Sequence, residues 1–193
     1  YMFTKDYPAA EKAIGKAVEL SPRSVDAILA MASVQHARGL ADQAVESCRR
    51  AIEADSGDAR SYVLLGSLRD SQGQWQDAQQ QYQKALALQP DQGTAANNLS
   101  YLLMEHGGNL DQALTLAQTA RRALPDHANT ADTLGWAYFN KGNYSPAVKL
   151  LREAVKASPA DPTFHYHLGM AFQKSGTQAQ ARAQYQLALQ LKP

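Results

Sequence analysis

An alanine recurs about every 34 residues along the chain, at Ala10, Ala44, Ala78, Ala113, Ala147 and Ala181. A second follows each of them seven residues later, at Ala17, Ala51, Ala85, Ala120, Ala154 and Ala188. The spacings in both sets are 34, 34, 35, 34 and 34. Such regularity constrains the fold more than any single residue does. The chain is an array of one small unit, and each unit needs to bury its apolar face only against its neighbours.

Taking Ala59 as position 1 sets the phase. Tyr62, Leu65, Gly66, Gly73, Ala78, Tyr82, Ala85 and Pro90 then fall at positions 4, 7, 8, 15, 20, 24, 27 and 32. The units starting at Ala128 and Pro162 repeat the pattern through Leu134, Gly135, Gly142, Leu151 and Pro159, and through Leu168, Gly169, Gly176 and Tyr185. Apolar residues at 4, 7, 8 and 11 form one helical stripe, and those at 20, 24 and 27 form another. Position 15 is glycine in five units (Gly39, Gly73, Gly107, Gly142 and Gly176), which suits a left-handed residue ending one helix before the next doubles back. Small residues at 8, 20 and 27 let the two helices approach, and the residue at 24 fills the space between them. Ser24, Asp58 and Asp161 are placed to cap the following helices. The Gly107-Gly108 pair absorbs the one extra residue of the fourth unit.

This pattern resembles the tetratricopeptide repeat over essentially the whole chain. The resemblance implies an all-α fold, a right-handed superhelical solenoid of antiparallel helix pairs. The predicted organisation is one continuous solenoid domain. It comprises a partial first repeat over 1–24, repeats over 25–58, 59–92, 93–127 and 128–161, and a last repeat over 162–193. In this frame Tyr1 lies inside the first helix of a repeat and Pro193 is a closing proline. The expectation is that both true ends of the array are missing, and that the uncovered terminal helices can associate end to end.

In this family the first helix of each unit lines a concave groove. The resemblance implies that positions 2, 5, 9 and 12, with some of 6 and 13, face it. The early half of that groove is Asp26, Leu29, Ser33, His36, Arg60, Val63, Ser67 and Asp70. Amides and large aromatics concentrate in the later half. The peptide-binding candidates are Asn97, Asn98, Tyr101, Asn129, Asp132, Trp136, Tyr166, His167 and Met170. Amides can pair with an extended peptide backbone, and aromatic rings supply contact area at low entropic cost. The competing reading of Tyr101 and Trp136 is helix-to-helix packing. Position 5 reads Leu29, Val63, Asn97, Asp132 and Tyr166, so the lysine of the family's carboxylate clamp is absent. Asp132 points instead to a partner bearing a basic group or a free backbone amide.

Other chemistries find little support. His165 and His167 are two apart on a helix, about 200° around its axis, and cannot chelate one metal together. Cys48 falls at the inter-helix position 24 and reads as core filler. No spacing suggests a catalytic triad or a phosphate-binding loop, so no enzyme, cofactor or metal is expected. The net charge is +1 and no groove position repeats as a code, which argues against nucleic acid. No apolar run is long enough to span a membrane.

The second half carries further phrases: Asn97-Asn98-Leu99-Ser100-Tyr101, Asn109-Leu110-Asp111-Gln112-Ala113, Asp132-Thr133-Leu134-Gly135-Trp136 and His165-Tyr166-His167-Leu168-Gly169. These are similar to the C-terminal repeats of bacterial tetratricopeptide lipoproteins of exopolysaccharide and PEP-CTERM export systems. The expected function is a non-enzymatic scaffold binding a peptide or protein segment in its groove. The alternatives are a structural subunit of a bacterial envelope export assembly, or a recruiting module cut from a larger enzyme. The compartment stays open between cytoplasm and periplasm, with the lipoprotein resemblance leaning towards the envelope.

Overall fold

The structure is a computed structural model and describes residues 7–191. The readings made for Tyr1 and Pro193 lie outside the described residues. Two compact units divide the chain, Tyr1–Pro90 and Asp91–Pro193. The first holds α1 (Tyr7–Leu20), α2 (Val25–Ala37), α3 (Ala41–Ala54), α4 (Ala59–Ser71) and α5 (Trp75–Leu88). The second holds α6 (Gly93–Glu105), α7 (Leu110–Ala123), α8 (Ala128–Asn140), α9 (Tyr144–Ala157), α10 (Pro162–Lys174) and α11 (Gln178–Leu191). The described residues form helices and connecting turns, with no strand among them.

Within each unit the helices pair in sequence. In the first, α2 packs on α3 and α4 on α5. In the second, α6 packs on α7, α8 on α9 and α10 on α11. The first helices of successive pairs also lie side by side, so α6, α8 and α10 form one continuous face of the second unit.

The sequence pattern explains the hairpins. All five turn glycines take positive φ, from +70° at Gly107 to +84° at Gly176. In that conformation the chain reverses without the steric penalty a Cβ would bring. The residue after the glycine closes the turn by donating back to a carbonyl five residues earlier, as Gln74 N does to Arg69 O at 2.9 Å and Asn143 N to Tyr138 O at 2.9 Å. In the third pair Gly108 N makes this bond, to Leu103 O at 2.7 Å. The inserted residue thereby frees Asn109 to cap α7. Its Oδ1 accepts from Asp111 N at 2.9 Å and Gln112 N at 3.1 Å. The corresponding caps of α3, α5 and α9 (Leu40, Gln74 and Asn143) make no side-chain cap bond. Ser24, Asp58 and Asp161 cap their helices as expected, accepting from Ala27 N, Arg60 N and Thr163 N.

Close approach within each pair depends on matched side-chain volumes. An added Cβ on Gly66 would stand 2.6 Å from the Tyr82 ring, and one on Gly135 would stand 2.8 Å from Leu151. Where position 8 is not glycine, position 24 is smaller. Ala32 packs in one core cluster with Cys48. Buried Ser100 lies across from α7, its hydroxyl donating to Ala113 O at 2.7 Å, and Ala117 of that helix is fully buried.

Candidate functional site

The sequence candidates all fall in the second unit. The face formed by α6, α8 and α10, with α11 as a wall, encloses an open cavity of about 820 Å³. Of the sequence candidates, Tyr101, Trp136, Tyr166, His167 and Met170 line it. Glu105, Thr163, Gln173, Tyr185 and Leu189 line it as well. Thr163 was within reach of sequence reasoning, because it occupies groove position 2 of its unit. Tyr185 and Leu189 belong to a second helix, whose residues the groove rule does not cover.

At the floor lies a buried acid–base pair. His167 Nδ1 is 2.9 Å from both carboxylate oxygens of Asp132. Only 3% of His167 and 4% of Asp132 is exposed. Burial pushes the Asp132 carboxyl above its ordinary value, against the downward pull of the His167 hydrogen bond and charge. Trp136 stacks on the imidazole with centroids 4.1 Å apart and 12° between planes. On its own helix Trp136 also stacks on Phe139, at 4.6 Å and 5°. Tyr101 and Tyr166 tilt towards the imidazole at 6.4 and 6.1 Å. Trp136 therefore serves packing and cavity lining together, and it is 8% exposed.

The three asparagines stand apart from these lining residues. Asn129 is exposed in the first turn of α8. Asn97 and Asn98 are half-buried on α6, with Asn97 Nδ2 donating to Asn98 Oδ1 at 3.3 Å. Asn97 Oδ1 is buried and has no hydrogen-bond partner. Tyr166 is the large aromatic most open to solvent among the candidates, at 48%.

The two histidines engage different groups. His165 places Nδ1 2.7 Å from Gln184 Oε1 and Nε2 3.0 Å from Pro159 O. It ties α10 to α11 and to the preceding turn, away from Asp132. In the first unit, the early groove residue Arg60 is committed to ion pairs with Asp58 at 2.5 Å and Asp26 at 2.8 Å. In the second unit, Arg121 of α7 pairs with Glu153 of α9 at 3.0 Å.

Stacked helix pairs of alternating 13 and 14 residues, turned on left-handed glycines and presenting a lined inner face, define a helical-repeat scaffold. Models of the TPR repeat match residues 135–176, and models of the tetratricopeptide repeat match 24–91, 63–128 and 162–193. The chain belongs to the tetratricopeptide repeat family, whose repeats mark it as a protein–protein interaction scaffold.

Among curated proteins it is 35% identical over 89 residues to small glutamine-rich tetratricopeptide repeat-containing protein 2 of Mycosarcoma maydis. That match covers 46% of this chain and 25% of the relative, so the chain spans about a quarter of that relative's length. Among solved structures it is similar to YrrB, described as a TPR protein with an unusual peptide-binding site. There the TM-score is 0.70 at 19% identity, covering 95% of this chain and 94% of that one. It is also similar to the APC/C hetero-tetramer Cut9–Hcn1, with a TM-score of 0.85 at 19% identity, covering 97% of this chain and 37% of that chain. At these identities the structural likeness concerns the fold. Among the described residues no helix is long and apolar enough to cross a membrane.

Proposed function

We propose that the second unit binds a peptide segment of a protein partner in the cavity over Asp132 and His167, without catalysing a reaction on it. The observation that carries this reading is the cavity itself. At about 820 Å³ it has the size of a ligand site, with Tyr101, Trp136, Tyr166 and Tyr185 around one polar floor. Tyr and Trp are the residue types that dominate binding hot spots. A described peptide-binding site in YrrB, a protein of similar fold, supports the same reading. Asn97 and Asn98 extend the candidate surface along α6, and Asn129 marks the start of α8.

The test is capture of protein partners by the purified chain, comparing wild type with Tyr166→Ala and Met170→Ala. Tyr166 is 48% exposed, so its truncation removes contact surface without opening the core. Loss of the captured partner is expected. Equal capture by all three proteins would sink the groove assignment.

A second reading rests on α1 and α11. Leu20 is 77% exposed and Leu189 is 76% exposed. Such side chains suit end-to-end association of copies. Sedimentation should then show concentration-dependent assembly that Leu189→Lys abolishes, and a monodisperse monomer at high concentration would exclude it.

A further inference from the structure

The polar floor of the cavity says what kind of side chain the bound segment brings. The inference rests on the peptide-binding reading above and narrows it. His167 Nδ1 is committed to the Asp132 carboxylate, at 2.9 Å from each oxygen. The ring itself lines the cavity. Nε2 has no protein partner among the described residues. With Nδ1–H donating to Asp132, Nε2 of the neutral imidazole is a hydrogen-bond acceptor. Stacking on Trp136 at 4.1 Å and the bond to Asp132 hold the ring in place.

Among the described residues, the charged side chains around this ring are acidic. Asp132 lies behind the ring and Glu105 lines the cavity from α6. Asp161, at the cap of α10, adds a further negative field on Asp132. The other titratable groups among the described lining residues are the phenols of Tyr101 on α6, Tyr166 on α10 and Tyr185 on α11. Among the described lining residues there is no lysine or arginine. Aromatic faces also attract cations, and more strongly where water is excluded.

We infer that this cavity selects a lysine or arginine side chain of the bound segment, held over the aromatic rings and donating to His167 Nε2. Asp132 is the positioning residue that fixes the imidazole.

The experiment uses the full chain and fluorescein-labelled, end-blocked peptide pools of roughly seven residues, read by anisotropy. The pools differ only at the central residue, which is lysine, arginine, norleucine or glutamate. The lysine and arginine pools should bind about tenfold more tightly than the norleucine pool, and the glutamate pool most weakly. His167→Phe should level the lysine and norleucine pools. Asp132→Asn keeps an acceptor for Nδ1–H but loses the charge, and should reduce the preference only in part.

Because His167→Phe leaves a buried carboxylate unpaired, Glu105→Gln on the exposed rim is the companion variant. It should weaken the basic pools about twofold to fivefold and leave norleucine unchanged. Norleucine or glutamate binding as tightly as lysine would overturn the selection while leaving the groove in place. A basic preference that His167→Phe leaves unchanged would overturn the role of His167. No binding by any pool would overturn both this inference and the peptide-binding reading.

Discussion

Tyr82 packs its ring directly over Gly66, so that a single added methyl on Gly66 would stand 2.6 Å from the ring. Tyr82 is fully buried and cannot swing away. Alanine gains about 1 kcal/mol of helix propensity over glycine, but overpacking a filled core costs about 1–3 kcal/mol. Gly66→Ala should therefore destabilise the first unit, and the loss should be smaller in a Tyr82→Leu background. Gly169 faces Tyr185 at the same 2.6 Å, yet Tyr185 is only half-buried and its ring has room to move. Gly169→Ala should be close to neutral. Urea unfolding followed by circular dichroism decides the order, and equal losses at the two sites would count against this account.

The Gly66–Tyr82 contact was legible before any coordinates, because it lies within one repeat and phase alone pairs positions 8 and 24. The Ala32–Cys48 pairing follows from the same rule. The Asp132–His167 pair was not legible. Its members are 35 residues apart and occupy positions 5 and 6 of successive repeats. Phase assigned each to the groove separately, but it carries no rule for how one repeat faces the next. The stacking of Trp136 on His167 was hidden for the same reason. Asn109 was missed differently: the Gly107-Gly108 insertion was read as a tolerated extra residue, whereas it releases a cap.

The inserted residue gives a direct comparison of capping. Asn109 Oδ1 accepts two backbone N–H bonds at the start of α7. Asn143, at the start of α9, accepts none. Losing an asparagine cap costs about 1 kcal/mol. Asn109→Ala should cost that much, while Asn143→Ala should cost a few tenths at most, judged by chemical denaturation. A similar cost at both sites would mean that Asn109 does not act as a cap.

Cys48 reports on the opening of the first unit. It is fully buried beside Ala32, Ala44, Val45, Leu65 and Leu68. Burial pushes its thiol up to about 12. The thiolate is the reactive form, so native Cys48 should resist alkylation. Labelling should proceed through transient opening, and its rate should rise with urea below the main transition. Gly66→Ala should accelerate it. Rapid, urea-independent labelling would show that the site is accessible in the folded state.

The buried carboxyl of Asp132 predicts a specific dependence of stability on pH. Its folded value is raised above the ordinary 3.8, chiefly by burial. A raised carboxyl binds its proton more readily folded than unfolded. The ionised form therefore weakens the fold at neutral pH, and this penalty is relieved as the pH falls through the raised value towards 3.8. A His167→Gln background removes the imidazole partner of the carboxyl. There, the stability difference between the Asp132 protein and its Asp132→Asn derivative should move in favour of Asp132 on acidification. A difference that stays flat, or moves the other way, would contradict a burial-dominated shift.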